Sequence, residues 1–133
     1  SALPGIVENG VEAGIPEDAV AKAEDAADRF DDAWDHALEA GVPIAMGTDA
    51  GTPFNFFADI PQEMAYMVDY GLSPERALEA ATVNAADLLG LDDVGRVEEG
   101  YAADLVVLDA DPTEDVTAWE DPEAVFARGD RVA

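Results

Sequence analysis

Gly41-Val42-Pro43-Ile44-Ala45-Met46-Gly47-Thr48-Asp49-Ala50-Gly51-Thr52-Pro53 is the stretch on which the reading of this 133-residue chain turns. Residues 42–46 form a short apolar run, the pattern of a strand buried on both faces of a parallel sheet. The run leads into a carboxylate, Asp49, set among small residues. In parallel α/β folds the carboxyl ends of strands display the reacting groups. Gly47 and Gly51 let the backbone turn sharply and leave room beside the carboxylate. An Asp so placed can bind a metal or shuttle a proton, because water exclusion and a nearby cation tune it. Asp is equally a common turn and cap residue, so the pattern alone leaves both readings open.

Working outward, residues 1–15 read as irregular, with glycine at 5, 10 and 14. Pro16 sits where a first helical residue tolerates it, and Glu17 and Asp18 suit a helix N-terminus. Val20, Ala23, Ala27, Phe30, Trp34 and Ala37 recur every three or four residues, which predicts an amphipathic helix to about Ala40. Its other face is acidic from Glu24 to Glu39, and Gly41 is the stop. Residues 47–55 read as a loop; Phe54, Phe56 and Phe57 could line a substrate pocket, but three aromatics near a loop more often pack under it. A second helix is expected over 61–71, burying Met64, Met67 and Val68. A third starts at Ser73-Pro74 and closes at Gly90, with Leu78, Ala81, Ala85, Leu88 and Leu89 on its apolar side.

Beyond that point the composition changes. Residues 95–98 and 104–108 are β-like around a Glu99-Gly100 turn. Asp111-Pro112 marks another turn, and 124–127 with 131–132 suggest a hairpin around Gly129-Asp130. The division expected is therefore an α/β part over residues 1–90 and a β part over 91–133.

Charge is the oddest bulk property. There are 31 Asp+Glu against 6 Lys+Arg, a formal net charge of -25. Such a surface repels a phosphate backbone, which argues against nucleic-acid binding. With 49% apolar residues interleaved among the acidic ones, a packed core is expected rather than a disordered tail. Acidic, Lys-poor surfaces resemble those of proteins from salt-loving archaea, where salt screens the self-repulsion. No stretch approaches the roughly 20 apolar residues of a membrane span. Cysteine is absent, which removes disulfides, thiolate nucleophiles and Cys-based zinc sites and fits a cytoplasmic setting. The start at Ser1, without an initiator Met, hints at processing or a fragment.

The stretch from Gly41 to Gly51 resembles the last barrel strand of the amidohydrolase superfamily, above all its imidazolonepropionase-like and prolidase-like branch. The likeness continues in order. Glu63-Met64-Ala65-Tyr66-Met67-Val68 with Gly71-Leu72-Ser73-Pro74-Glu75-Arg76-Ala77-Leu78 resembles the next helix and turn. Ala80-Ala81-Thr82-Val83-Asn84-Ala85-Ala86 with Leu88-Leu89-Gly90-Leu91 is similar to the helix after it. Residues 95–108, from Gly95-Arg96-Val97 to Val106-Val107-Leu108, resemble the return into a small β-sandwich. The resemblance covers about residues 37–133.

It implies an α/β fold: the C-terminal portion of a (β/α)8 barrel followed by the last strands of a small sandwich. It also implies one or two divalent metals, zinc foremost, at the barrel mouth. Asp49 would touch that metal site and relay a proton from the attacking water to the departing nitrogen. The substrate would be a small cyclic amide or a dipeptide-like molecule cleaved at a C–N bond. Thr52 and Asn55, on the loop that would rim the pocket, become candidate substrate contacts.

The departures from the family are as informative. Its metal ligands include a His-x-His pair and further histidines, whereas this chain has 1 His, His36, read as a surface residue of the acidic helix. Lys22 reads the same way, and Asp104 as a structural Asp. A whole barrel needs roughly 250 residues. The chain alone is therefore expected to lack hydrolase activity and to need either the missing N-terminal part of the barrel or another copy of itself. The rival readings are an acidic, non-enzymatic binding domain and a truncated paralogue serving as an assembly partner.

Overall fold

The computed structural model describes residues 2–133. The chain is α/β, with five α-helices, one 3-10 helix and a three-stranded sheet among those residues. It forms two compact units that interleave along the sequence. The first takes the N-terminal stretch through Val42 together with Thr48–Ile60; the second takes Pro43–Gly47 and Pro61–Ala133.

The first unit opens with α1 (Ala2–Asn9), in a region expected to be irregular. Pro4 and Gly5 mask the helix, since both are poor helix formers in isolation. Pro4 falls in the first turn, where its missing N–H costs nothing. Gly5 is needed for another reason: a Cβ there would lie 2.7 Å from Cβ of Phe54. The expected long helix is α2 (Glu17–Ala40), which stops at Gly41 with φ 65, its N–H on the Leu38 carbonyl. Val20 and Ala23 are its buried residues, and α2 packs along α1. Further along the stripe Phe30 stacks on Trp34 with ring centroids 5.6 Å apart. The acidic face lies in solvent, where Lys22 reaches Asp18 at 3.2 Å and Arg29 reaches Asp25 at 2.6 Å.

In the second unit α3 (Ile60–Asp69) buries Met64 and Met67, as expected; Leu72, just past its end, is buried too. Ser73 caps α4 (Pro74–Ala81) by accepting from the Arg76 N–H at 3.3 Å. The single helix expected to reach Gly90 breaks at Thr82, and α5 (Val83–Leu89) follows. The Thr82 hydroxyl donates to the Leu78 carbonyl at 2.7 Å, a local bond that competes with the helix ladder and bends it. Gly95 nests there, since a Cβ on it would sit 3.0 Å from the Thr82 carbonyl oxygen. The break turns α5, so that Ala86 faces inward and Leu88 and Leu89, expected inside, are 76% and 71% exposed.

Residues 42–46, expected as a buried strand, form none. A strand exists only as a ladder, and no described segment runs beside this one. Its groups bond to helices instead. The Met46 N–H donates to the Ala80 carbonyl at 2.9 Å, and the Ile44 carbonyl accepts from the Asn84 side chain at 2.9 Å.

The β part is an antiparallel sheet of β1 (Leu105–Val107), β2 (Ala124–Ala127) and β3 (Asp130–Arg131), in that order. Val106 faces Val125, and Phe126 faces Arg131. The hairpin turns at Arg128-Gly129, one residue earlier than expected. Both residues have positive φ, 51 and 88, as a two-residue turn matched to strand twist requires. The Asp104 carboxylate accepts from the Arg128 N–H at 2.7 Å, which braces the hairpin turn. Residues 95–98, expected as β-like, are bends, for Gly95 at φ 85 cannot continue a strand. A 3-10 helix, Val116–Glu120, was not foreseen; Asp115 caps it through the Thr117 N–H at 2.9 Å. Where the last strands of a sandwich were expected, the described residues supply one three-stranded sheet. No described helix is long and apolar enough to cross a membrane.

Candidate functional site

The loop after residues 42–46 is held by its own hydrogen bonds. The Gly51 N–H donates to the Asn55 carbonyl at 2.9 Å, and the Asn55 N–H donates to the Thr52 carbonyl at 3.2 Å. The Thr48 hydroxyl oxygen accepts from the Ala50 N–H at 3.3 Å. The Thr52 hydroxyl donates to the main-chain carbonyl of Asp49 at 3.0 Å. The Asn55 side-chain amide donates to the Thr48 carbonyl and, at 3.4 Å, to the Thr52 hydroxyl oxygen.

Asp49 thus sits inside a closed ring of bonds while its own side chain is exposed. Its φ is 54, in the left-handed region that Asp and Asn tolerate better than most residues. Asn55 is 3% exposed, and a buried amide is tolerated because its donors are used. The substrate contact expected of Asn55 therefore meets a side chain turned into the loop, away from solvent. Thr52 is half-buried, its hydroxyl committed on both sides.

Phe54 is a second left-handed residue, with φ 62, and its Cβ lies against Gly5. Phe56 and Phe57, expected to pack beneath the loop, are 67% and 79% exposed. The Phe56 N–H instead caps onto the Asp59 carboxylate at 2.8 Å. His36 and Lys22 lie exposed on α2, apart from any cluster of metal-binding side chains.

Among the described residues no three His, Asp or Glu side chains gather closely enough to hold a metal ion. A single carboxylate is too small a donor set for zinc, which takes three or four protein ligands. These residues alone do not fit a resident metal.

A cavity of about 550 Å³ was not foreseen from the sequence. It lies in the second unit among Leu78, Thr82, Val83, Val97, Leu105 and Trp119. The Trp119 indole N–H is buried there without a partner among the described residues. Glu79, Arg96, Glu98 and Asp104 also line the cavity.

Residues 5–132 match the model of the Amidohydrolase family. The chain belongs to the amidohydrolase family. Ochratoxinase of Aspergillus niger is 35% identical over 117 residues, spanning 84% of this chain and 23% of that protein. The family's imidazolonepropionase from Rubrobacter xylanophilus is 45% identical over 75 residues, 55% of this chain and 18% of that protein. A crystal structure of a putative prolidase from Bifidobacterium longum superposes with a TM-score of 0.90 at 35% identity, covering 99% of this chain and 33% of that one. A Xaa-Pro dipeptidase crystallised with methionine in its active site gives a TM-score of 0.83 at 31% identity, over 97% and 32%. The chain thus spans about a fifth of the length of the curated relatives it matches and about a third of the solved family chains.

Proposed function

We propose that this chain is the C-terminal third of a metal-dependent amidohydrolase that cleaves a C–N bond in a cyclic amide or a dipeptide-like substrate, with Asp49 as its proton relay. The observation that carries the reading is the placement of Asp49. It is an exposed carboxylate held left-handed in a hydrogen-bonded loop, directly after a segment tethered to helices α4 and α5. The names of the relatives, an imidazolonepropionase and a Xaa-Pro dipeptidase, support the substrate class.

In the reaction, an Asp49 carboxylate oxygen takes a proton from the attacking water as its oxygen bonds to the substrate carbonyl carbon. The neutral acid then gives that proton to the nitrogen as the C–N bond breaks, because an amide nitrogen leaves badly unless protonated. The products are an acid and an amine, and Asp49 returns to its starting form. In the whole protein Asp49 is also proposed as one ligand of one or two divalent ions, zinc by resemblance, whose other ligands this chain does not carry. The barrel and the sandwich belong to the same proposal, as does the inactivity of these 133 residues by themselves.

The test is Asp49→Asn in the intact parent protein, assayed on Xaa-Pro dipeptides, N-acyl amino acids and a cyclic amide. Turnover is expected to drop by about two to four orders of magnitude, the range for general acid–base groups. Retention of more than about a tenth of wild-type turnover removes Asp49 from the mechanism.

A further inference from the structure

We infer that Thr52 and Asn55 are positioning residues for Asp49 and do not contact the substrate; the inference rests on Asp49 being the proton relay. A non-glycine residue with positive φ is disfavoured and persists only where its surroundings hold it. Asp49, at φ 54, is held at both of its peptide groups. The carbonyl before it, that of Thr48, accepts from the Asn55 amide, and its own carbonyl accepts from the Thr52 hydroxyl at 3.0 Å. The same Asn55 amide reaches the Thr52 hydroxyl oxygen at 3.4 Å, so that Asn55 aims the hydroxyl that holds Asp49.

A substrate contact needs a donor or acceptor facing outward. Asn55 has no such access at 3% exposure. The single hydroxyl proton of Thr52 is committed to Asp49. The far end of the loop is pinned as well, since Phe54, left-handed at φ 62, seats its Cβ against Gly5 of α1. Gly51 lies between the two left-handed residues at φ 99, its N–H on the Asn55 carbonyl at 2.9 Å. Without the Thr52 and Asn55 bonds, Asp49 relaxes toward ordinary backbone angles and its Cα–Cβ vector swings away. Proton transfer requires approach to about 3 Å. A displacement of about 1 Å costs up to about a hundredfold in rate.

The experiment uses the intact parent protein with the same substrate panel and compares Thr52→Val, Thr52→Ser and Asn55→Ala. Thr52→Val keeps the shape and removes the hydroxyl; Thr52→Ser restores it. The expected result is a kcat lowered about ten- to a hundredfold in Thr52→Val and Asn55→Ala, with KM within about twofold, and kcat recovered in Thr52→Ser. A KM raised tenfold or so at unchanged kcat would make Thr52 a substrate contact and overturn the proposal. Unchanged kcat and KM would overturn it too. Should Asn55→Ala fail to fold, the Thr52 pair decides alone.

Amide hydrogen exchange supplies a readout independent of turnover. The Gly51 amide is expected to exchange about tenfold faster in Thr52→Val, as for the loss of one hydrogen bond; an unchanged rate overturns the holding role. A failure of the relay reading shows in an active Asp49→Asn. A failure of the positioning role shows in an active Thr52→Val beside an inactive Asp49→Asn.

Discussion

The side-chain amide of Asn84 donates to the main-chain carbonyl of Ile44 at 2.9 Å, joining positions 40 apart in the chain. With the Met46 N–H on Ala80, it ties residues 44–46, the segment that precedes Asp49 in sequence, to helices α4 and α5. Asn84→Ala leaves the Ile44 carbonyl without its donor, and the loss is expected at about 1–2 kcal/mol. Urea unfolding should show a lower midpoint with an unchanged slope. Asn84→Asp should cost at least as much, since a carboxylate cannot donate to a carbonyl. A loss below about 0.5 kcal/mol would mean that water replaces the amide.

Gly5→Ala sets two effects against each other. Helix propensity favours Ala over Gly by about 1 kcal/mol. Against this, the new methyl group would meet Cβ of Phe54 at 2.7 Å and its carbonyl oxygen at 3.3 Å. Neither atom can rotate away, and overpacking of this kind costs about 1–3 kcal/mol. Net destabilisation is expected, and Phe54→Gly in the same chain should cancel it. A double-mutant cycle measures that coupling, and additive effects would show that the two residues do not touch.

The Asp115 carboxylate accepts from the Thr117 hydroxyl at 2.7 Å and from the Thr117 N–H at 2.9 Å, and these bonds hold its pKa below the ordinary carboxylate value. Asp111 is held down in the same way by Thr113. A folded-state pKa below the unfolded one contributes stability that is present above the unfolded value, about 3.9, and is lost as pH falls through the folded one. The 3-10 helix should therefore loosen only below about pH 4. Thr117→Val should move the Asp115 titration upward toward the ordinary value, as read from its carboxyl carbon shift. An unmoved midpoint would exclude the hydroxyl as the cause.

A formal charge of -25 on 133 residues makes stability depend on salt. The carboxylates repel across about 30 Å at 0.01 M salt and about 3 Å at 1 M. Melting midpoints are expected to rise across that range, most of all for α2, on whose acidic face Lys22 and Arg29 make exposed ion pairs. A flat series would rule out salt adaptation of this surface.

Features set by one or two neighbouring residues were legible in the sequence. The stop at Gly41, the Ser73 cap, the buried pair Met64 and Met67, and the two strands of the hairpin all follow from local chemistry. Asp49 was singled out as a candidate by the company it keeps. What stayed hidden depends on groups far apart in sequence. Residues 42–46 have the composition of a strand, but a strand also needs a partner, and composition cannot supply one. The Thr82 break lies in a sequence that reads as continuous helix until its hydroxyl is seen on Leu78. Asn55 reads as a surface loop residue, because nothing local announces that its amide will be buried on Thr48. Gly5 looks like a helix breaker until Phe54 arrives beside it.

The interleaving of the two units has a consequence during synthesis. As the chain leaves a ribosome, the first unit has all its residues once Ile60 is out. The apolar segment Pro43–Gly47 must wait longer, because Asn84 emerges 40 residues after Ile44. At about 5–20 residues per second, that interval lasts about two to eight seconds. For that time Ile44 and Met46 are open to any chaperone that grips short hydrophobic runs. Slowing translation while residues 60–84 leave the ribosome should prolong that capture, whereas slowing it once Leu89 has emerged should have no effect on it.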